Sequence, residues 1–199
     1  VAGADEASET LGCGAYLRRQ LGLPASLQPI LDRYLLSRGF AAYDGLAVPS
    51  ATDLGWALAA QLGAAGAAEK AQTLAWVQTL QRADGSFDMG VANKVWGTAQ
   101  VLRGLNDHFA GNAAVAAMAA QALQYLLSQR DAQGLWLNDT AATAAVFEAV
   151  QPYSDASTRA AVQAHLLSVQ QPDGSWASDP YVTALALRAL FLSGQPPSA

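Results

Sequence analysis

The sequence predicts an all-α protein built from about four tandem helical hairpins. Three observations support this class: a glycine-centred turn that recurs at hairpin spacing, a helix-capping residue at a fixed distance after each glycine, and apolar residues spaced at the helical period. The chain has 199 residues, of which 52% are hydrophobic and 14% charged, so it can bury a core of ordinary domain size. We therefore predict a single repeat domain over residues 1–199.

Four turn sequences align on a glycine. They contain Gly45, Gly85, Gly134 and Gly174, so that successive glycines are 40, 49 and 40 residues apart. Such a period fits one helix, one tight turn and a second helix. The segments 74–81, 125–129 and 165–171 are predicted to be the ends of the helices that precede the last three turns.

A second column supports the alignment, because the fifth residue after each glycine is of a type that favours a helix N-cap. These residues satisfy the free N–H groups of the first helical turn. Pro180 after the last of them favours the first helical position. A helix is predicted to begin there in every repeat, at Ser50, Gly90, Asp139 and Asp179.

Helix-breaking residues predict where the helical repeats begin and end and where one hairpin is connected to the next. Residues 1–30 are predicted to form an N-terminal segment with an extra helix over 7–21, and residues 31–193 the four hairpins. Gly63 and Gly66, then residues 106–112 and 152–155, are predicted to separate the hairpins. The proline-rich residues 194–199 are predicted to be a disordered tail.

Composition excludes several classes of function. The formal net charge is −5 and the basic residues are scattered, which argues against binding to nucleic acid. No apolar run reaches the roughly 20 residues of a transmembrane helix. Cys13 is the only cysteine, so we predict no internal disulfide and no cysteine-based metal site. A start at Val1 favours a processed, secreted or periplasmic protein.

Three turn strings carry a resemblance to a known superfamily. They are QRADGSF at 81–87, QRDAQGLW at 129–136 and QPDGSW at 171–176. They resemble the QW repeats of squalene and terpenoid cyclases, which share the α/α-toroid fold with protein prenyltransferases. The resemblance covers about residues 70–192, with 31–62 as a weaker first copy. It implies an incomplete α/α toroid of about four repeats, whose hydrophobic cavity binds or cyclises an isoprenoid.

Asp139 is the candidate catalytic residue that the resemblance implies. The string WLNDTA at 136–141 is similar to the DxDD-Thr-Ala segment with which class II terpene cyclases, enzymes of the isomerase and lyase type, protonate an alkene. Only its last acid is present, and Asn138 stands at the proton-donating position. The repeat alignment gives the other interpretation, that Asp139 is a helix cap, and this interpretation is favoured.

Helices that follow the caps face the centre of the barrel in the superfamily, and this implies a set of pocket walls. Trp56 and Trp96 occupy the same repeat position, eleven residues after their glycines. Aromatic rings in an apolar hollow suit a polyene or a cation, although core packing is the commoner role of a helical tryptophan. The substrate-binding candidates are Trp56, Trp96, Lys94, Thr98, Thr143 and Tyr181.

Other branches of the superfamily suggest the alternative function. The zinc set of prenyltransferases is not matched by Cys13, His108 and His165, so no metal or other cofactor is expected. The segment LGCG at 11–14 is similar to the motif of macroglobulin thioester domains, but Tyr16 replaces the required glutamine. The alternative is therefore a non-catalytic module that binds a protein partner. Because four hairpins leave a toroid open, homo-oligomerisation would cover its exposed edge.

Overall fold

The computed structural model describes residues 18, 21, 23, 34–35, 39–40, 67–87, 93–106 and 112–194. Helices dominate these residues, and the predicted all-α class is confirmed for them. A short 3-10 turn, Gln151–Tyr153, follows the fourth helix. The α-helices of the described residues are α1 (Ala67–Leu80), α2 (Lys94–Asn106), α3 (Ala113–Ser128), α4 (Thr140–Val150), α5 (Ala156–Ser168) and α6 (Pro180–Leu192).

Two very short strands lie within the predicted first hairpin and were not expected from the helical pattern. β1 (Tyr34–Leu35) and β2 (Gly39–Phe40) are antiparallel, with Tyr34 opposite Phe40 and Leu35 opposite Gly39. The ladder is only two residues long on each side, so it is a local feature beside a helical fold.

The chain divides into two compact units, Val1–Tyr125 and Leu126–Ala199, with the boundary inside α3. In the second unit, α4 packs against both α5 and α6, and α5 also packs against α6. Residues 142–150 of α4 are all buried. A helix that is buried on every side forms the core of its unit, and α4 has this place in the second unit.

Helix α2 resembles α4 in its burial, whereas α5 buries only one face. Nine residues of α2, among them Thr98 and Gln100, are buried. By contrast, the buried residues of α5 are Thr158, Val162 and Leu166, which recur at the spacing of one helix face. In the second unit, the helix that directly follows the third turn is therefore the most buried one.

Capping side chains explain where four of the helices begin. Asp139 Oδ1 accepts from the N–H of Ala142, and Asp179 Oδ1 accepts from those of Tyr181 and Val182. Asp155 and Asn112 cap α5 and α3 in the same way. The predicted helix starts at Asp139 and Asp179 are confirmed, as is the break at 152–155. The predicted break at 63–66 and most of the one at 106–112 lie outside the described residues.

The predicted start after Gly90 is wrong. Helix α2 begins at Lys94, and Asn93 accepts from the N–H of Val95 through its side chain. Asparagine supplies a side-chain acceptor that glycine lacks, so the first helical turn forms where that acceptor stands.

Several predictions lie outside the described residues. They concern Cys13, the first turn at Gly45, the cap at Ser50, Trp56 and the tail beyond Gly194. Within the predicted N-terminal helix, Arg18 is helical, Leu21 lies in a turn, and the N–H of Leu23 donates to the carbonyl of Arg18. Among the helices that the structure describes, none has the length and apolar character to cross a membrane.

Candidate functional site

The three described turns share one backbone geometry. Gly85, Gly134 and Gly174 have φ angles of +85°, +81° and +83°, which glycine adopts without steric cost. The N–H of each glycine donates to the carbonyl three residues earlier, at 2.9 Å, 3.0 Å and 2.9 Å respectively. A side chain four residues before each glycine then donates to the carbonyl of that glycine and closes the turn.

The closing side chain is not always the glutamine with which the aligned turn string begins. The donors are Gln81, Arg130 and Gln170, at 3.1 Å, 3.2 Å and 3.0 Å from the glycine carbonyls. Only Gln81 is among the glutamines that open the three aligned strings. Gln129 lies one residue before the donor Arg130, and Gln171 lies one residue after the donor Gln170. The donor is therefore set by its position at the end of the helix and not by residue type.

Acidic side chains stabilise the same turns. Asp84 Oδ1 accepts from the N–H and hydroxyl of Ser86, and Asp173 Oδ1 accepts in the same way from Ser175. These serine hydroxyls and N–H groups hold the pKa of Asp84 and of Asp173 below its ordinary value. Both acids are turn formers, with their oxygens already used by the turn.

The aromatic residue two positions after each glycine is buried in its hairpin. Phe87 and Trp136 are 0% exposed and Trp176 is 1% exposed. The indole Nε1 of Trp136 donates to the carbonyl of Leu126 at 2.7 Å, and that of Trp176 donates to the carbonyl of Leu166, also at 2.7 Å. Each indole therefore ties the turn to the helix that precedes it.

A threonine on the following helix completes each turn, and we call it the staple threonine. The hydroxyls of Thr98, Thr143 and Thr183 accept from the N–H of Phe87, Trp136 and Trp176 at 2.9 Å, 3.2 Å and 3.0 Å. Two of these threonines are predicted pocket walls. The third was missed, although Thr143 and Thr183 both lie nine residues after their glycines.

The segment between the aromatic residue and the cap is strained in the two later turns. Leu137 and Asn138 have φ angles of 60° and 48°, and Ala177 and Ser178 have 55° and 52°. The N–H of Asp139 and of Asp179 closes each turn onto the tryptophan carbonyl. Two successive left-handed residues are costly without glycine.

Replacing Ala177 by glycine should therefore stabilise the protein. We expect Ala177→Gly to raise the free energy of unfolding by about 0.5–1 kcal/mol, because relief of left-handed strain exceeds the added entropy of the unfolded chain. Urea unfolding measures the change. The matched control is Ala184→Gly on the exposed face of α6, which should lower stability by about 1 kcal/mol. Equal losses in both variants would contradict the prediction.

Asp139 has the same structural role as Asp179. Its side chain is exposed, its Oδ1 lies 2.7 Å from the N–H of Ala142, and its carbonyl accepts from the N–H of Thr143 at 2.9 Å. Asn138 precedes it in the strained pair and is also exposed. The predicted capping role of Asp139 is thus confirmed by its contacts.

The other predicted pocket residues divide between the two units. Lys94, Trp96 and Thr98 lie together at the start of α2, where the hydroxyl of Thr98 donates to the carbonyl of Lys94 at 2.6 Å. The Lys94 side chain is exposed, with Nζ 4.0 Å from Asp84 Oδ2. Trp96 is half-buried. Tyr181 is 51% exposed at the start of α6, and Thr143 is buried in α4.

Asp155 gives one of the caps a pH dependence. Its pKa lies below the ordinary value of 3.8, first because the N–H of Thr158 donates to it, then because the Thr158 side chain and two arginines favour the anion. A lowered folded-state pKa means that this contribution is present above the unfolded pKa and is lost as the pH falls through the folded value.

We expect Asp155→Asn to reduce the pH dependence of stability. Asparagine still caps a helix but does not titrate, so the variant should lose less stability than the wild type between about pH 5 and pH 2. Urea midpoints measured across this range compare the two proteins. Parallel losses in both would show that Asp155 does not contribute to acid sensitivity.

Sequence reasoning missed two buried polar features. Glu148 on α4 and Arg188 on α6 form an ion pair, with Oε1 and Nε 2.8 Å apart. Both lie five residues after a staple threonine, as does Arg103, and this regularity was the signal available in the sequence. Gln100 on α2 is the second feature. No group of three or more potential metal ligands occurs among the residues that the structure describes.

Comparison of the sequence with protein-family models and with curated proteins gave no match.

Proposed function

We propose that the chain is an α/α-toroid-type domain that binds an isoprenoid in an apolar cavity and does not cyclise it by protonation. The observation that carries this proposal is the threefold recurrence of the QW-like turn, complete with its closing donor, buried aromatic residue and staple threonine. A turn repeated with the same hydrogen bonds indicates a repeat architecture rather than an accidental match of a few residues. The isoprenoid comes from the resemblance to terpenoid cyclases.

Chemistry at Asp139 favours binding over cyclisation. Protonation of an alkene requires a carboxylic acid that faces the substrate in a site closed to water. Asp139 is exposed, and its Oδ1 accepts from the N–H of Ala142 as the cap of α4, so its side chain does not face a closed site. Asn138, at the position of the proton donor in the resembling motif, is an amide. Neither residue supports acid catalysis.

The buried helices support an apolar ligand. Helices α2 and α4 follow the second and third turns, at the position that faces the cavity in the superfamily. Their exposed surface is small, and α4 carries alanine at five positions between 141 and 149. In the first unit, Trp96 on α2 offers a partly exposed aromatic ring. Such a ring suits contact with a prenyl chain.

Native mass spectrometry tests the proposal. The purified protein is incubated with farnesyl diphosphate, geranylgeranyl diphosphate, squalene and geranylgeraniol, and the retained ligand is identified by mass. We expect at least one to be retained, and Trp96→Ala to retain less than its aromatic control Trp96→Phe. Asp139→Asn should bind as the wild type does and leave the ligand unchanged. Ligand-free spectra with all four compounds would refute binding, and conversion that is abolished in Asp139→Asn would refute the non-catalytic part.

A protein-binding module is the second candidate, and the exposed aromatic residues of α6 favour it. Tyr181 is 51% exposed and Phe191 is 72% exposed, near the two ends of α6. Aromatic residues are enriched where proteins meet. Under this alternative the wild type should form concentration-dependent dimers in ligand-free spectra, and Tyr181→Ser with Phe191→Ser should abolish them. Monomers at all concentrations would count against self-association through these two residues.

A further inference from the structure

Gln100 is an exception among the buried polar side chains. It is only 4% exposed, and among the described residues none donates to its buried Oε1. Buried polar atoms in proteins nearly always have a partner, since an unsatisfied acceptor lowers stability. The capacity of this oxygen to accept a hydrogen bond is therefore not used by the described part of the chain.

Buried hydroxyl groups elsewhere in the described residues show the ordinary behaviour. Ser86 donates to Asp84, Thr98 and Thr143 each bridge backbone groups, and Ser154 donates to the carbonyl of Val150. Each of these side chains serves the turn or helix in which it lies. Gln100 serves no such local purpose, because no described residue donates to its Oε1.

The repeat itself shows that the fold does not need glutamine at this position. Gln100 lies two residues after a staple threonine, and the matching residues of the later repeats are Ala145 and Leu185. Both are apolar, and Ala145 is buried like Gln100. An apolar residue therefore satisfies the packing of this position, and the glutamine adds a polar atom that packing does not require.

Trp96 lies one helical turn before Gln100 and on the same face of α2. The ring is half-buried, so this face combines an aromatic surface with a buried acceptor. An apolar chain that ends in a hydrogen-bond donor matches both features. A hydrocarbon has no donor, and a diphosphate presents acceptor oxygens that an amide oxygen would repel.

We propose that Gln100 Oε1 accepts a hydrogen bond from the hydroxyl group of a bound prenyl alcohol. This inference rests on the proposed function and narrows its ligand class from isoprenoids in general to their alcohols. Gln100 acts as a specificity residue, because a ligand without the hydroxyl leaves the buried acceptor unsatisfied. Trp96 contacts the chain of the same ligand.

The test compares geranylgeraniol with its methyl ether, which keeps the chain and the oxygen but loses the donor. Tryptophan fluorescence titration gives the affinity of each ligand for the wild type and for Gln100→Leu, which copies Leu185. We expect the wild type to bind the alcohol about tenfold more tightly than the ether. In Gln100→Leu the two affinities should become equal, while its urea midpoint should match or exceed that of the wild type.

The outcomes separate this inference from the proposed function. Equal affinities of the wild type for alcohol and ether would overturn the inference but not isoprenoid binding. A buried water would then be the donor to Gln100 Oε1. Failure to bind either ligand, or any compound of the mass-spectrometric set, would overturn the proposed function as well. Discrimination that persists in Gln100→Leu would also overturn the assignment to Gln100. If that variant does not fold, Gln100→Met serves the same comparison.

Discussion

Alanine at Gly85 should destabilise the protein by about 3 kcal/mol or more, whereas alanine at Gly174 should cost only about 1 kcal/mol. The two glycines have nearly the same φ, +85° and +83°, so the strain of a left-handed alanine is shared. Their surroundings differ. A Cβ on Gly85 would overlap the carbonyl oxygen of Gln121 and lie 2.8 Å from its carbonyl carbon, whereas on Gly174 the nearest atom would be 3.9 Å away.

Gly134 is the intermediate member of this series. A Cβ there would lie 2.8 Å from Nη2 of Arg130, the end of a flexible side chain that can move aside. We expect Gly134→Ala to cost slightly more than Gly174→Ala, about 1–2 kcal/mol, because Arg130 loses its hydrogen bond to the turn. Urea unfolding of the three variants gives the order. Equal losses would mean that backbone strain at the glycine alone sets the loss of stability. The backbone of α3 at Gln121 would then move to make room for the new Cβ.

Replacing Arg188 by leucine should destabilise the second unit by about 3 kcal/mol, near the low end of the range for broken buried ion pairs. The variant leaves the Glu148 carboxylate without its cationic partner, and that side chain is only 7% exposed. We expect a destabilisation near the low end of that range because the Arg188 side chain is 38% exposed. Glu148→Leu should cost less, since the remaining guanidinium can turn towards water.

The double variant Glu148→Leu with Arg188→Leu distinguishes pairing from packing. If the single loss comes from an unpaired buried carboxylate, the double variant should regain most of it, because two apolar side chains replace the pair. Urea midpoints of the wild type, both single variants and the double variant complete the thermodynamic cycle. Additive losses would show that the two residues stabilise the unit independently.

The candidate site could be predicted only in part. The sequence indicated Thr98 and Thr143 as cavity walls, which stays a prediction, and did not indicate that their hydroxyls hold the turns. Asp139 was correctly placed at a helix start, because the acceptor of a cap and the N–H that it binds are only three residues apart. Gln100 was not distinguished, since nothing local marks a glutamine as buried.

The sequence by itself determined the helical class, the repeat of turn glycines and the helix starts at Asp139 and Asp179. These features depend on contacts between residues a few positions apart, so spacing and residue type are sufficient to predict them. Only the tertiary structure decided that α2 begins at Lys94, that Arg130 replaces a glutamine as turn donor, and that Glu148 meets Arg188. Those outcomes depend on how one helix end or face is oriented against another, which the local pattern does not specify.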